Sequence, residues 1–390
     1  MGHPHVQTPN LDRLAKESLT FTRGYVPSSL CCPSLASIIT GLYPHQHKIT
    51  SNDPPVPEGM SGRAFRQSKA FSEGREAMNR HLDAVPTLPR ILSQAGYISL
   101  QTGKWWQGDY KRGGFTHGMT KGARHGDEGL EIGRKTMQPI FDFIASAQRD
   151  KKPFFVWYAP LMPHAPHNPP QRLIDKYASA TQSPRVARYW AMVEWFDETV
   201  GSLLDYLDEH KLSENTIVVF VTDNGWITNP TTGSYAAKSK LSPYDGGLRT
   251  PIMIRWPGHL EPEQSDALAL SIDIAPTLLA ALHLPPQPQM PGINLLDRKS
   301  AAGRKAIFGD CFTAKSVDLA HPSANLRWRW MIDGNWKIIV PASHNQPNEQ
   351  TELYDLAKDP HEEHNLAGTH ADIVNAMTDT LNTWWDGAAD

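Results

Sequence analysis

The sequence is poor in cysteine, in long apolar runs and in net charge, and each shortage excludes a class of protein. Only three of the 390 residues are cysteines, too few for a disulfide framework. No run of roughly 18 or more apolar residues occurs, so we expect no membrane span. A formal net charge of −3 argues against the broadly basic surface of a nucleic-acid-binding protein. The 39% content of hydrophobic residues is instead typical of an ordinary globular core.

Amphipathic helical segments alternate with apolar strands over the first three quarters of the chain. The strand-like segments include LTFTRGYV, YISLQT, PFFVWYAP, IVVFV and PIMIRW. Helical periodicity precedes or follows them, most clearly over residues 184–211. This alternation favours a mostly parallel central sheet sandwiched by helices. Residues 50–85 are polar and rich in Pro, Ser and Gly, and they predict a long surface loop.

The last quarter of the chain has a different pattern. A proline-rich linker occupies residues 284–292, and further on Asp333-Gly334 lies between alternating apolar runs, which is a hairpin signal. A helix is expected at 370–385. We therefore predict an α/β catalytic domain over residues 1–295, followed by a small α+β domain with an antiparallel sheet over residues 296–390.

Polar clusters directly follow three of the predicted strands, where parallel sheets bind their ligands. Asp223 and Asn224 in TDNG offer the oxygen ligands that Ca²⁺ or Mg²⁺ prefers, although a simple turn at the strand end also explains them. His164 and His167 in PHAPH could act as acid, base or anion ligand, whereas a zinc site would need further ligands nearby. Lys104 follows the strand YISLQT, and the alternative is a solvated lysine.

The segment PSSLCCPSLASIITG contains two adjacent cysteines at the predicted start of a helix. Adjacent cysteines seldom form a disulfide without strain. Backbone N–H groups and the helix dipole stabilise an anion at a helix N-terminus, so Cys31 is a candidate nucleophile. Two buried, inert thiols are the alternative.

Together these segments resemble the sulfatase family, within the alkaline-phosphatase-like superfamily. Cys31, Pro33, Ser34, Thr40 and Gly41 stand at the spacing of the family signature, with Cys32 as its variable position. The resemblance extends in order through TPNLDRLAKES, GLYPHQH, GYISLQTGKWW, MPHAPH, VVFVTDNG, KLSPYDGGLRTPIMIRWPG, DIAPTLL and ELYDLAKDPHEEHNLA. It implies an enzyme that hydrolyses sulfate esters of a small molecule or glycan.

The resemblance also implies roles for individual residues. A maturation enzyme would convert Cys31 to formylglycine, whose hydrate is the nucleophile. Asp223, Asn224 and the modified Cys31 would bind Ca²⁺, or Mg²⁺ in its place. The remaining predicted site residues would contact the sulfate ester: Lys104 and Lys240 at the sulfate oxygens, His164 with Lys240 at the leaving oxygen, and Trp106 and His167 as substrate-binding residues. Such enzymes are often periplasmic or secreted, although no signal peptide is visible in this sequence.

Three departures from the family pattern qualify these expectations. Leu35 stands in place of the signature arginine, and Trp106 in place of a histidine. The family's first strand, which ends in two metal-binding aspartates, should precede Gly2, so we expect a slot with unpaired edges in the sheet and a longer parent protein. Two alternatives stay open. Phosphoryl and sulfuryl groups make similar demands on a site, so a phosphodiester or phosphonate hydrolase of the same superfamily is one. The departures motivate the other, a degenerate relative that binds sulfated glycans without hydrolysing them.

Overall fold

The computed structural model describes residues 2–60 and 62–388. Helices and strands alternate in it, largely in the order that the periodicity predicts. The helices are α1 (Pro9–Lys16), α2 (Cys31–Thr40), α3 (Pro44–His47), α4 (Gly62–Arg66), α5 (Lys69–Asp83), α6 (Leu88–Gln94), α7 (Gln138–Arg149), α8 (Gln171–Tyr177), α9 (Pro184–Glu209), α10 (Asp245–Leu248), α11 (Ile274–Ala281), α12 (Arg298–Gly303), α13 (Pro322–Asn325) and α14 (Ala371–Trp384). The strands are β1 (Leu19–Tyr25), β2 (Ile98–Gly103), β3 (His117–Gly118), β4 (Phe154–Ala159), β5 (Val218–Phe220), β6 (Ile252–Arg255), β7 (Glu263–Leu270), β8 (Ala306–Phe312), β9 (Leu326–Asp333), β10 (Trp336–Pro341) and β11 (Glu352–Asp355).

Two sheets form the larger part of the molecule. One has the strand order β3-β2-β4 and is parallel throughout, with Ile98 of β2 opposite Phe154 of β4. The other has the order β5-β6-β1-β7; β1 runs parallel to β7, and β6 runs antiparallel to both β1 and β5. The predicted α/β class with a parallel sheet between helices is therefore confirmed. The strand β7 lacks β-branched residues, which is why its sequence gave no strand signal.

The two sheets lie under the same helical layers. On one face α9 covers both, with Leu204 packed beside β5 and Leu203 beside β4. On the other face Val219 of β5 and Phe155 of β4 pack against the cluster that contains α2. Among the described residues no strand pairs with the outer edge of β4 or of β5. The unpaired edges expected from the sequence are thus present at these two strands.

The helix that carries the cysteine pair is fully buried. It begins at Cys31, after an extended Leu30, and it ends at Gly41, whose φ of 68° is left-handed. A side chain at position 41 would also lie about 3.0 Å from Met290, so both backbone and space require glycine there. The predicted helix with its glycine terminus is confirmed.

The expectation of a long loop over residues 50–85 is wrong. This region contains α4 and α5, and Ser68 caps α5 by accepting a hydrogen bond from the Phe71 N–H at 3.1 Å. The buried residues of α5 are Arg75, Met78, Asn79 and Leu82. Their spacing is helical, but two of the four are polar, so the hydrophobic pattern did not reveal the helix.

The last part of the chain forms the expected antiparallel sheet, with the order β11-β10-β9-β8 and with α14 packed on it through Met377 and Leu381. The Asp333-Gly334 hairpin joins β9 to β10 as predicted. Ala301 of α12 packs in one cluster with Leu295, so contacts cross the predicted domain boundary at residue 295. The boundary itself stays a prediction. No helix in the described part of the chain is both long and apolar enough to cross a membrane.

Candidate active site

The N-terminus of α2 faces the loops that follow β2 and β5. Lys104 comes directly after β2, Asp223 and Asn224 come shortly after β5, and Lys240 lies in the loop before α10. Their side chains form one contact network around Cys31. Since β2 and β5 belong to different sheets, this network joins the two sheets at their carboxyl ends.

Cys31 is buried and is contacted by polar groups. The Lys240 Nζ donates to Cys31 Sγ at 2.9 Å, and the thiol lies 3.4 Å from Asn224 Oδ1. Cys32 has a different environment: its N–H donates to Asn52 Oδ1 at 2.9 Å, and Gln107 Nε2 donates to its sulfur at 3.4 Å. Burial raises the pKa of the Cys32 thiol to about 12. Of the two cysteines, only Cys31 has a lysine ammonium in contact with its sulfur among the described residues.

Lys104 also interacts with Cys31. Its Nζ lies 2.5 Å from Asp223 Oδ2. Burial lowers the pKa of Lys104, but the attraction of Asp223 and of Cys31 outweighs burial and raises it above its ordinary value. Burial likewise acts to raise the pKa of Asp223, and Lys104 and Lys240 bring it below its usual range. Two ammonium groups and one carboxylate therefore surround residue 31, which gives the site an excess of positive charge suited to an anion.

The described residues do not complete a calcium site. Asp223 and Asn224 supply oxygen atoms beside residue 31, whereas Ca²⁺ takes about six to eight oxygen ligands. The Asp223 carboxylate is in addition already paired with Lys104. Binding of Ca²⁺ or Mg²⁺ at Asp223, Asn224 and residue 31 stays a prediction.

His164 lies near the two lysines but does not touch Cys31 in any described contact. Its Nδ1 is 2.7 Å from the Ala165 carbonyl oxygen, so Nδ1 carries the hydrogen and Nε2 is free to accept one. Burial, followed by repulsion from Lys104, lowers the pKa of His164 to about 4. His164 is therefore neutral at neutral pH. The ring of His167 lies 6.1 Å from that of Trp226, and its Nε2 is buried without a hydrogen-bond partner among the described residues.

The two residues that depart from the family pattern share one apolar cluster. Leu35 and Trp106 are 5% and 1% exposed, and both pack in the cluster that contains Cys31 and Cys32. Trp106 is thus covered by protein. It could affect substrate binding only by positioning the residues that pack against it. The nearest aromatic one is His125, whose ring centroid lies 4.3 Å from that of Trp106.

Sequence reasoning missed several residues near this site. Arg75 of α5 donates to the carbonyl oxygens of Trp106 and of Asn52, the latter at 3.0 Å. His125 lies with its ring 6.1 Å from that of His164, and the Lys240 Nζ lies 5.8 Å from the Trp226 ring. Trp226 follows TDNG closely and could have been found from the strand-end rule, whereas Arg75 and His125 carried no such signal.

Known proteins match this chain along most of its length. The family model described as Sulfatase matches residues 1–284, and a model described as N-sulphoglucosamine sulphohydrolase, C-terminal, matches residues 233–385. The chain is 27% identical to arylsulfatase A of Homo sapiens, over 96% of this chain and 82% of that protein. It is 22% identical to N-acetylgalactosamine-6-O-sulfatase of Bacteroides thetaiotaomicron, over 98% of this chain and 89% of the relative.

A solved structure described as a complex with its substrate D-glucosamine-2-N,6-O-disulfate superposes with a TM-score of 0.75. It is 19% identical in sequence, and the match covers 99% of this chain and 94% of that one. At this level of identity the likeness concerns the fold, and it supports the α/β architecture with its separate antiparallel sheet.

Proposed function

The chain belongs to the sulfatase family, a family of sulfuric ester hydrolases, and from this premise we propose that it cleaves the sulfate esters of carbohydrates at Cys31 after conversion of that residue to formylglycine. The observation that carries the proposal is the contact of 2.9 Å between Lys240 Nζ and Cys31 Sγ, together with the interaction of Lys104 with Cys31. A cysteine between two ammonium groups is suited to a reaction at an anionic group. The carbohydrate substrate is suggested by the N-acetylgalactosamine-6-O-sulfatase relative.

The side chains around residue 31 can hold a sulfate ester. Lys104 and Lys240 would bind its anionic oxygens, and their placement before the substrate arrives means that little reorganisation is needed as charge develops. Formylglycine at position 31 would supply a hydrated aldehyde as the nucleophile. Cys31 is buried at the start of α2, so the helix fixes the direction of the side chain at position 31.

Lys240 is placed to protonate the leaving alcohol, and His164 lies near it. Lys240 carries protons on Nζ and contacts the reactive residue, so it can give a proton to the ester oxygen as the sulfur–oxygen bond breaks. His164 is neutral with Nε2 unprotonated, so it can orient a substrate hydroxyl by accepting its hydrogen bond, while the proton for the leaving oxygen comes from Lys240. The overall reaction consumes one water and yields the alcohol and sulfate.

The first test compares matched sulfate and phosphate monoesters and diesters of one alcohol, with a single protein preparation. The proposal predicts that the sulfate ester has the highest kcat/KM. Sulfuryl and phosphoryl groups make similar demands on a cationic site, so a preference for a phosphate ester would instead identify a phosphodiester or phosphonate hydrolase. Cys31→Ala is the control, because it removes the reactive position and should abolish turnover of every ester.

The second test is mass spectrometry of the peptide that contains Cys31, isolated from the native host. Conversion of a cysteine side chain to an aldehyde removes about 18 mass units, which separates it from the oxygen additions of ordinary thiol oxidation. We expect this loss at Cys31 and unmodified Cys32. An unmodified Cys31 in native material would contradict the formylglycine part of the proposal, and the maturation enzyme implied by it.

A second candidate function follows from Leu35 and Trp106. Both are apolar and buried beside the cysteines, so the cationic and basic groups that the family places at these positions are missing. A relative that binds sulfated glycans without hydrolysing them would show saturable binding and no release of sulfate. For the hydrolase we also propose a periplasmic or secreted location, which fractionation of the native host would test.

A further inference from the structure

The loop that follows β4 carries His164 and His167 but makes few backbone hydrogen bonds of its own. Four of its ten residues, LMPHAPHNPP, are prolines, which have no N–H to donate. Within residues 161–168 of the structure as described, only the Asn168 N–H donates to a backbone oxygen, that of Pro166 at 3.1 Å. The shape of this loop must therefore be held by donors from elsewhere in the chain.

One side chain donates every hydrogen bond that reaches residues 161–168 from other described parts of the chain. Arg134 donates to the Leu161 carbonyl oxygen through Nε at 2.8 Å and through Nη2 at 2.5 Å, and its Nη2 also donates to the His164 carbonyl oxygen at 2.7 Å. Its Nη1 donates to Asn168 Oδ1 at 2.6 Å and to the Pro166 carbonyl oxygen at 3.2 Å. The guanidinium thus joins the start, the middle and the end of the loop.

The backbone that carries Arg134 is itself held in place. Ile132 is 0% exposed and packs in one cluster with residues of β2 and α7. The Gly133 N–H donates to the Thr136 carbonyl oxygen at 2.9 Å. A Cβ at position 133 would lie 2.7 Å from the Met162 Cε, so the turn lies directly against the loop. Arg134 therefore reaches the loop from a fixed point.

Charge pairing does not explain the contacts of Arg134. Burial lowers its pKa, and no carboxylate acts on it among the described residues. Its acceptors are all neutral oxygens, three of the backbone and one of an asparagine side chain. The planar guanidinium offers several donors in a rigid fork, whereas a lysine ammonium is a compact point charge. Such a fork is suited to fixing the shape of a loop.

The ring of His164 depends on this shape. Arg134 holds the carbonyl oxygen of His164, and the next carbonyl oxygen, that of Ala165, accepts the hydrogen of His164 Nδ1 at 2.7 Å. That second bond leaves Nε2 unprotonated as an acceptor. A shift of the loop would move this acceptor or release the ring, and a misplacement of about 1 Å can cost up to roughly a hundredfold in rate.

We propose that Arg134 is a positioning residue, which holds the 161–168 loop so that His164 Nε2 can orient a hydroxyl of the substrate. Arg134 makes no described contact with Cys31, Lys104 or Lys240 and acts through the loop. The inference rests on the proposed function only for the substrate hydroxyl. The control of the His164 ring by Arg134 can be measured without a substrate.

The first measurement uses the full chain without substrate, labelled with ¹⁵N in its histidine rings. The His164 signals are assigned by their loss in His164→Ala. In the wild type the ring should carry its hydrogen on Nδ1 and stay neutral down to about pH 4. Arg134→Met releases the loop, so we expect a second tautomer with the hydrogen on Nε2 and a pKa that rises towards about 6.5 as burial falls.

Arg134→Lys separates position from charge. The lysine keeps the positive charge but cannot span the loop, so it should also raise the pKa of His164 and release its tautomer. His167 is unsuitable as the reporter. Burial lowers its pKa, but the charge of Arg134 lowers it further, so its ring would respond to the loss of charge alone.

Arg90→Met is the matched control. Arg90 is also half-buried, and its guanidinium also donates to backbone carbonyl oxygens, those of Leu82 at 3.0 Å and of Val85 at 2.8 Å. These oxygens lie outside the 161–168 loop. The control therefore removes a comparable set of hydrogen bonds, and it should leave the tautomer and the pKa of His164 unchanged.

The second measurement compares a small aryl sulfate, which has no hydroxyl to orient, with a sulfated monosaccharide that has free hydroxyls. Arg134→Met should lower kcat/KM for the monosaccharide about tenfold to a hundredfold and change that for the aryl sulfate less than about threefold. Arg90→Met should change neither. In the His164→Ala background Arg134→Met should have little further effect, because a positioning residue acts through the histidine.

An unchanged His164 ring in folded Arg134→Met, or an equal change in Arg90→Met, would overturn the inference. An equal loss of turnover for the two esters, or none for either, would also overturn it. If Arg134→Met does not fold, Asn168→Ala takes its place, since it removes only the bond of 2.6 Å to Nη1. It should change the His164 ring in the same direction by a smaller amount, and an unchanged ring would again refute the role of Arg134.

The outcomes for the loop and for the reaction are separable. If the wild type hydrolyses no sulfate ester but Arg134→Met alters the His164 ring, the proposed reaction fails and the control of the loop by Arg134 stands. If the wild type hydrolyses sulfate esters and the ring is unaffected, the positioning role fails and the reaction stands.

Discussion

Lys337 of β10 offers a sharp test of how the C-terminal sheet is joined to the active-site loops. Its side chain is 0% exposed, and its Nζ lies 2.8 Å from Asp245 Oδ1 and 2.7 Å from Glu362 Oε1. Burial lowers the pKa of Lys337, but the two carboxylates outweigh burial and raise it. Asp245 begins α10, which closely follows the loop that carries Lys240, so this buried ion group connects the small sheet to the reactive centre.

Replacing Lys337 with Met keeps the shape of the side chain and removes its charge. Glu362 then loses its cation, and Asp245 loses the nearer of its two, since Arg249 Nη1 lies 3.8 Å from it. The loss costs about 3–5 kcal/mol in the free energy of unfolding. The measurement is denaturant unfolding followed by circular dichroism at pH 7.5. Lys358→Met is the control, because Lys358 also pairs with an aspartate, Asp355 at 3.0 Å, but its side chain is 85% exposed. We expect no resolvable change for the control.

The pH dependence of the variant has a definite sign. Burial already raises the pKa of Glu362, and loss of Lys337 raises it further. An acid whose pKa is higher in the folded state is penalised there when it is charged. This penalty on the free energy of unfolding is present above the raised pKa and is relieved as the pH falls below it. The destabilisation by Lys337→Met should therefore be smaller at pH 5 than at pH 7.5. A loss below about 1 kcal/mol at pH 7.5, or a defect that grows on acidification, would refute the reasoning.

Three further predictions concern the core and the site. Leu35→Arg places a charge in the apolar cluster around Cys31 and should destabilise the fold by about 3 kcal/mol or more, against less than about 1.5 kcal/mol for Leu35→Met, as measured by denaturant unfolding. His47 is buried, and burial lowers its pKa to about 3, so the wild type should lose stability as pH falls below about 6.5 and His47→Gln should show a shallower loss in the same titration. Lys240→Met should lower kcat for a sulfate ester by roughly a hundredfold or more, with Lys135→Met unchanged; a loss confined to KM would contradict a role for Lys240 in the reaction itself.

Much of the fold and part of the candidate site follow from local patterns in the sequence. Strand and helix periodicity predicts β1, β2, β4, β5, β6 and the long helix α9 in their order, but not α4, α5 or β7, and the Asp333-Gly334 turn predicts its hairpin. The strand-end positions of Lys104, Asp223 and Asn224 predict that these residues meet, because parallel strands place their carboxyl ends together. Each of these signals is contained within a few neighbouring residues, which is why it can be read from the sequence.

No local pattern in the sequence shows which distant residues meet. Cys31 and Lys240 are 209 positions apart, and the family resemblance, rather than any local pattern, placed them in one site. Arg75 lies in a helix whose buried face is half polar, so neither the helix nor its contact with Trp106 was expected. The same holds for Lys337, whose charge is accepted in the core only because Asp245 and Glu362 surround it there. Sequence determined the segments and the chemistry they carry; packing determined which charges are paired, and which remain free to bind a substrate.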